Sequence, residues 1–308
     1  MSDPVLSDAA LPEALPGSRS EQAVPVRRRG VWTTVRRRVH FWLPAFVLAV
    51  LALLAVLPGQ FAGLFGNGDP RVCDLSMSAK PSMPGHPFGM DLQGCDVYAN
   101  VIYGARASLV VGLSCTIIAL GIAVVIGTLA GFVGGWLDGL LARTTDIFLG
   151  FPFLLGAIVV LNSLGSRSVW AVALVLALFS WPILARLVRT SVRATRDAEY
   201  VQAAKAMGFT TRRVIVHYLL PNALGPVLAL ATLTVGSVIV AESTLTFLGL
   251  GLRAPSISWG LQLATAQSRF QQAPHTLIYP SIFLAVTVLS LITLGDVLRD
   301  AVNPRGRR

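Results

Sequence analysis

Charge is scarce in this 308-residue chain, where Asp, Glu, Lys and Arg together make up 13% against 54% hydrophobic residues. Mean hydropathy is +0.68. Soluble domains carry about 25% charged residues, so a water-soluble fold is excluded and a bilayer is the expected setting. Lysine is scarcer still: the chain has only Lys80, followed by Pro81, and Lys205, followed by Ala206. A phosphate-cradling P-loop needs Lys followed by Ser or Thr after a Gly-rich turn. That route to ATP hydrolysis is therefore closed, and any ATP-driven work falls to a partner. The four histidines, His40, His86, His217 and His275, lie far apart without HExxH or comparable ligand spacing. No metal site and no catalytic site is expected, and the chain reads as a non-catalytic subunit.

What the chain has in abundance is long apolar runs. They fall at roughly 41–65, 108–133, 147–164, 169–187, 223–247 and 277–297. A helix needs about 20 such residues to cross the hydrocarbon core, because lipid offers no hydrogen bonds to its backbone. The reading is an all-α polytopic membrane protein with about six spans. The third run is opened by Asp146 and closed early by Asn162, Ser163 and Gly165, so a buried or re-entrant helix is the alternative there.

Positive charge sets the orientation. With six spans, the tail before His40, the turn at 134–146, the loop at 186–221 and the end after 298 hold 19 of the 25 Lys and Arg. Such excess marks the cytoplasmic side, so both termini are expected inside a bacterial inner membrane. The net charge of +10 sits beside spans, as in Arg27–Arg29 and Arg36–Arg38, which fits anionic headgroups better than nucleic acid. The resulting division is a disordered basic tail over 1–40 and a first anchor helix over 41–65. An extracytoplasmic loop over 66–105, a membrane core over 106–298 and a short cytoplasmic tail over 299–308 follow. Residues 1–26 are too long and too acidic for the n-region of a cleaved signal peptide.

Several residues stand out within this frame. Cys73 and Cys95 both fall in the outer loop, where thiols oxidise, so a disulfide is expected, with two free thiols as the alternative. Cys115 lies in the second span. Gly127, Gly131 and Gly135 recur every four residues, the spacing that lets helix backbones approach. Pro182, Pro221 and Pro226 are candidate bends, since each lacks an amide donor. Glu242 lies in the apolar run GSVIVAESTLTFLGLG. An ionisable group at that depth is either a pore or interface residue or an interfacial carboxylate bonded to Ser243 or Thr244.

One polar, basic stretch interrupts the apolar chain: EYVQAAKAMGFTTRRVIVHYLLPN, Glu199 to Asn222. Good helix formers run to Met207, with little bulk at Ala203, Ala204 and Ala206. Gly208 supplies a left-handed stop, Thr210 or Thr211 can cap a second helix carrying Arg212 and Arg213, and Pro221 marks the next span. Arg186, Arg189, Arg193 and Arg196 precede the stretch at near-helical spacing and read as a solvated positive face.

The pattern Gln202-Ala203-Ala204, three residues, Gly208, nine residues, then Tyr218-Leu219-Leu220-Pro221 resembles the EAA loop of ABC-importer permeases. Gln202 replaces the family Glu, keeping length but losing charge, and Tyr218 replaces an Ile. GHPFGMDLQGCDVYANVIYGARASL, GFVGGWLDGLLARTTDIFLGFPFLL, AESTLTFLGLG, PSISWG and LGDVLRDAVNP follow the order of the C-type permeases of dipeptide and oligopeptide importers. The likeness covers about 85–305.

The resemblance implies the type I ABC-importer permease fold and a role in coupling. In that family the EAA helix docks in a cleft of a cytoplasmic ATPase; here that assigns ATPase coupling to Gln202, Ala203, Ala204, Lys205, Ala206, Met207, Gly208, Leu220 and Pro221. It implies four kinds of neighbour: a homologous second permease, one or two ABC ATPase subunits, an extracytoplasmic substrate-binding protein and membrane lipid. No cofactor is expected in this chain, ATP and Mg being bound by the ATPase. The expected cargo is a di- or oligopeptide, with a nickel complex, haem or another small solute as the alternative. An ATP-independent secondary transporter is a more distant reading.

Overall fold

The computed structural model describes residues 39–66 and 68–302, with side chains from Phe41 onward. The basic tail, including residues 1–26, and the last six residues lie outside the described residues. The helices are α1 (Val39–Val56), α2 (Pro58–Ala62), α3 (Val97–Val133), α4 (Gly135–Gly150), α5 (Phe153–Leu164) and α6 (Val169–Arg196). They are followed by α7 (Glu199–Ala206), α8 (Thr211–Arg213), α9 (Leu220–Phe247), α10 (Trp259–Ala266) and α11 (His275–Val302). Among the described residues there is no strand, only isolated bridges such as Cys73 to Cys95.

Among the described residues four helical stretches are long and apolar enough to cross a membrane: α3, α6, Thr211–Phe247 and α11. The expected third span is instead a broken pair, α4 and α5, meeting at 85°. The break falls at Phe151-Pro152, where Phe151 is extended (φ −80°, ψ 130°). The residue before a proline is pushed out of the helical region by clash with the proline ring, so Pro152 turns the chain. Pro182 and Pro226, by contrast, lie inside helices that run on through them. The first anchor is also shorter than expected. Helix α1 ends at Val56 rather than near 65, where Leu57 leaves the helical region ahead of Pro58. Pro58 then starts the separate α2. The second span begins earlier than its hydrophobic run, at Val97, because Asp96 caps it by accepting from the Tyr98 amide at 2.9 Å.

The main core lies among α3, α5, α6 and α9, around Cys115, Leu161, Leu176, Leu184 and Leu245. A second cluster joins α1, α2, α3, α9, α10 and α11 around Ala99, Ile102, Ile239 and Trp259. The tightest seam is α3 against α6. A Cβ on Gly127 would lie 2.6 Å from Val188 Cβ, and one on Gly131 would lie 2.8 Å from the Arg189 carbonyl. Gly135 does not extend that seam: it opens α4 at φ +61°, with nothing within 4 Å of a Cβ. Large apolar side chains such as Ile117, Trp136, Val159, Trp170 and Leu289 face outward. A water-soluble surface would not carry so many, whereas a surface turned to lipid suits them.

Candidate functional site

The two ends of the bundle are built differently. At one end α6 runs out through its arginines into α7. Arg189 donates to Asp138 through Nη2 at 2.8 Å, with Arg193 on the same carboxylate. Arg186 reaches Asp146 at 2.6 Å, and Arg196 donates to the Gly131 carbonyl at 3.3 Å. The arginine row is therefore not a bare solvated face: it clamps α6 to α3 and α4 within this chain. Asp138 was not singled out in the sequence reading, and Asp146 served there only to mark the start of the third apolar run, because their partners lie about 40–55 residues away on another helix.

The 199–221 segment hangs from this clamp. Val201, Ala204 and Val214 are its buried base, with Phe209 and Tyr218 packed against them and stacked on each other at 5.7 Å. Ala204 thus belongs to the inner side, while Gln202, Ala203, Lys205, Ala206, Met207 and Gly208 form the exposed side. Gly208 takes φ +76°, a conformation that costs a residue with a side chain about 1–2 kcal/mol. It ends α7 and turns the chain back. Gln202 donates from Nε2 to the Arg196 carbonyl at 3.3 Å; a Glu there has no donor for that bond. Lys205 Nζ lies 5.3 Å over the Phe132 ring, tying the hairpin to the end of α3.

The expected second short helix is not separate. Thr210 precedes α8 without a side-chain cap, and α8 passes through a π-helical stretch, Val214–Leu219, into α9. Pro221 supplies the reason: it has no amide for the carbonyls a turn behind. Asn222 Nδ2 meets one of them, the Tyr218 carbonyl, at 2.8 Å. Leu220 is half-buried against the main core, and Pro221 is exposed.

Glu242 sits near the opposite end and is fully buried, with 0% exposure. It accepts from Thr246 Oγ1 at 2.9 Å, Ser243 Oγ at 3.3 Å and Ser108 Oγ at 3.4 Å. Ser108 and Thr246 in turn accept from the Trp259 and Leu252 amides at 3.4 and 3.0 Å. The carboxyl group therefore ties α9 to α3 and to the segment leading into α10. Within this chain the carboxyl group is enclosed by its own core, and of the two partners expected for a bonded carboxylate it has Ser243. Thr244, the other expected partner, bonds the Val240 carbonyl instead.

The same end carries the long loop between α2 and α3. Cys73 and Cys95 form a disulfide with a Cα separation of 4.1 Å. Backbone bonds Asp74 to Gly94, Ala79 to Asp91 and Asp91 to Cys95 lace the loop. Phe88 stacks on Tyr279 at 4.0 Å, and His275 meets the Met90 carbonyl at 2.8 Å, fixing the loop to α11. His86 lies 3.1 Å from Asp96. Among the described residues no group of three or more His, Cys, Asp or Glu is placed to hold a metal ion.

Comparisons with known proteins agree with this architecture. Residues 123–308 match the family model described as binding-protein-dependent transport system inner membrane component. The chain is 40% identical over 262 residues to a dipeptide transport system permease protein, DppC, of Alkalihalophilus pseudofirmus, covering 84% of this chain and 86% of that one. It is 34% identical over 287 residues to an oligopeptide transport system permease protein, OppC, of Haemophilus influenzae, covering 91% and 90%. Among solved structures, an inward-facing MetNI methionine ABC transporter chain aligns with TM-score 0.55 at 19% identity, covering 66% of this chain and 96% of that one, a likeness of fold. With its hairpin and clamp joined to a membrane bundle of this kind, the chain belongs to the family of binding-protein-dependent transport system inner membrane components.

Proposed function

We infer that this chain is a permease subunit of an ATP-driven importer of di- or oligopeptides. It forms the path together with a homologous permease and is driven by separate ATPase subunits. The observation that carries this reading is the division of α7 and the turn after it into two sides. Val201 and Ala204 are buried, while Ala203, Lys205, Ala206 and Met207 face outward with little bulk around Met207. A short helix that shows small residues and one flexible apolar side chain fits a groove on another protein. Its base is bolted to α6 and α3, so a push on the exposed side is delivered to the bundle rather than absorbed by a loose loop.

In this assignment the hairpin end faces the cytoplasm and the disulfide end faces outward, where thiols oxidise and where a substrate-binding protein delivers the cargo. Peptide is favoured over other solutes because relatives named for dipeptide and oligopeptide transport match across most of the chain. Cysteines introduced at Ala203 and Ala206 are expected to cross-link to an ATPase in membranes, with the yield changing on ATP addition. Failure of both positions to capture any ATPase, in cells that still take up peptide, sinks the coupling reading.

A further inference from the structure

Beneath the disulfide lies a cavity of about 650 Å³ between the 70–100 loop and the 254–276 segment. That is within the roughly 300–1,000 Å³ of small-molecule sites. Its walls combine apolar surface from Leu92, Ile257 and Leu261 with two charges of opposite sign, Arg71 and Asp91. Arg71 spends one long bond, 3.4 Å, on the Pro255 carbonyl and is otherwise exposed. Asp91 accepts from the Gln93 and Cys95 amides at 2.8 Å. Burial pushes its carboxyl above the ordinary carboxylate range, against the backbone donors that lower it. The third polar feature is Gln262. Its Nε2 donates to the Asn100 carbonyl at 2.7 Å, while its Oε1 is buried with no partner.

We propose that this cavity is a receiving site on the permease itself for a short peptide with free termini. The peptide carboxylate pairs with Arg71, the ammonium with Asp91, and a side chain lies on Leu92 and Leu261. This deepens the peptide-import reading and rests on it. The chemistry is specific: a guanidinium fork suits a carboxylate, a carboxylate suits an ammonium, and a wall carrying one charge of each sign suits a zwitterion rather than a net-charged solute. A free peptide brings both complementary charges on a single short backbone.

The test uses the full chain with its copurifying partners in lipid nanodiscs, without ATP and without added binding protein. Equilibrium dialysis with radiolabelled Ala-Phe is expected to give saturable binding, and N-acetyl-Ala-Phe-amide is expected to give none. Arg71→Gln, an exposed and structurally mild change, is expected to weaken binding at least tenfold. Ala264→Phe, which fills the cavity from α10 without removing a hydrogen bond, is expected to abolish it. Retention of the disulfide and of the thermal transition shows that each variant is folded; if Ala264→Phe fails that check, Arg71→Gln decides. Absence of saturable binding, equal binding of the blocked peptide, or unchanged affinity in a folded variant overturns the proposal. Uptake of the same peptide by cells carrying the wild-type chain separates the two readings. Import without binding at the cavity removes the receiving site alone, and lack of import removes the peptide reading beneath it.

Discussion

The disulfide end and the hairpin end of the bundle solve opposite problems. The first is stitched by a covalent bond between Cys73 and Cys95, by backbone pairs across the loop, and by Phe88 stacked on Tyr279. The second rests on three small buried side chains, Val201, Ala204 and Val214, and turns an exposed face outward. A cap that has to hold its shape in water without a core of its own gains most from a cross-link, because the cross-link removes entropy from the unfolded loop. Under the coupling reading proposed above, the hairpin gains from the reverse: a firm base and a free face. The stiff parts of the hairpin end lie one layer down, where Arg189 and Arg193 grip Asp138.

That contrast can be broken in order of expected effect. Removing the cross-link with Cys73→Ser and Cys95→Ser together should cost the cap about 3 kcal/mol, from closure of a 22-residue separation. Proteolysis of the 66–96 loop should accelerate while cross-linking from Ala203 stays unchanged; loss of both together would mean that the ends are not independent. Next, Glu242→Leu should cost about 2–3 kcal/mol, because the Ser108, Ser243 and Thr246 hydroxyls lose their common acceptor inside the core. Glu242→Gln, which keeps an acceptor oxygen, should recover most of the thermal stability measured in detergent. Recovery of uptake with it would match a structural role, whereas loss of uptake in a fully stable Gln variant would match a functional one.

At the hairpin end the effects on stability are smaller and those on transport larger. Gly208→Val forces a β-branched residue to φ +76°, at about 1–2 kcal/mol, and should abolish uptake while leaving the melting temperature of the bundle within a few degrees. The smallest change expected is Gln202→Glu, which converts the donor to the Arg196 carbonyl into an acceptor and loses about 0.5 kcal/mol at this exposed position. Faster hydrogen exchange at the α6–α7 junction, with uptake nearly intact, is the expected readout.

Much of this was legible beforehand because lipid imposes one-dimensional rules. Long apolar runs, the arginine excess beside them and the Gln202–Pro221 pattern can each be read without knowing what touches what. What the sequence left open lay where a neighbour decides. For Glu242 it offered a pore or interface residue or a carboxylate bonded to Ser243 or Thr244, and only packing shows that hydroxyls of Ser108, Ser243 and Thr246 enclose it. Gly135 kept the four-residue spacing but fell past the end of α3, where Gly134 breaks the helix at φ +73°. Ala204 shares a motif with Ala203, and only the fold of the hairpin onto Val214 separates the inner residue from the outer one.

By itself the sequence determined that the chain is helical and membrane-embedded, and it marked which segment is too polar to be buried there, because burial in hydrocarbon tests each residue against the same solvent. The tertiary structure alone decided the 85° break before α5, the grip of two arginines on one aspartate, and the cavity beneath the disulfide. Each of these joins residues distant in the chain, and their energy exists only once packing has brought the partners within hydrogen-bond or van der Waals reach.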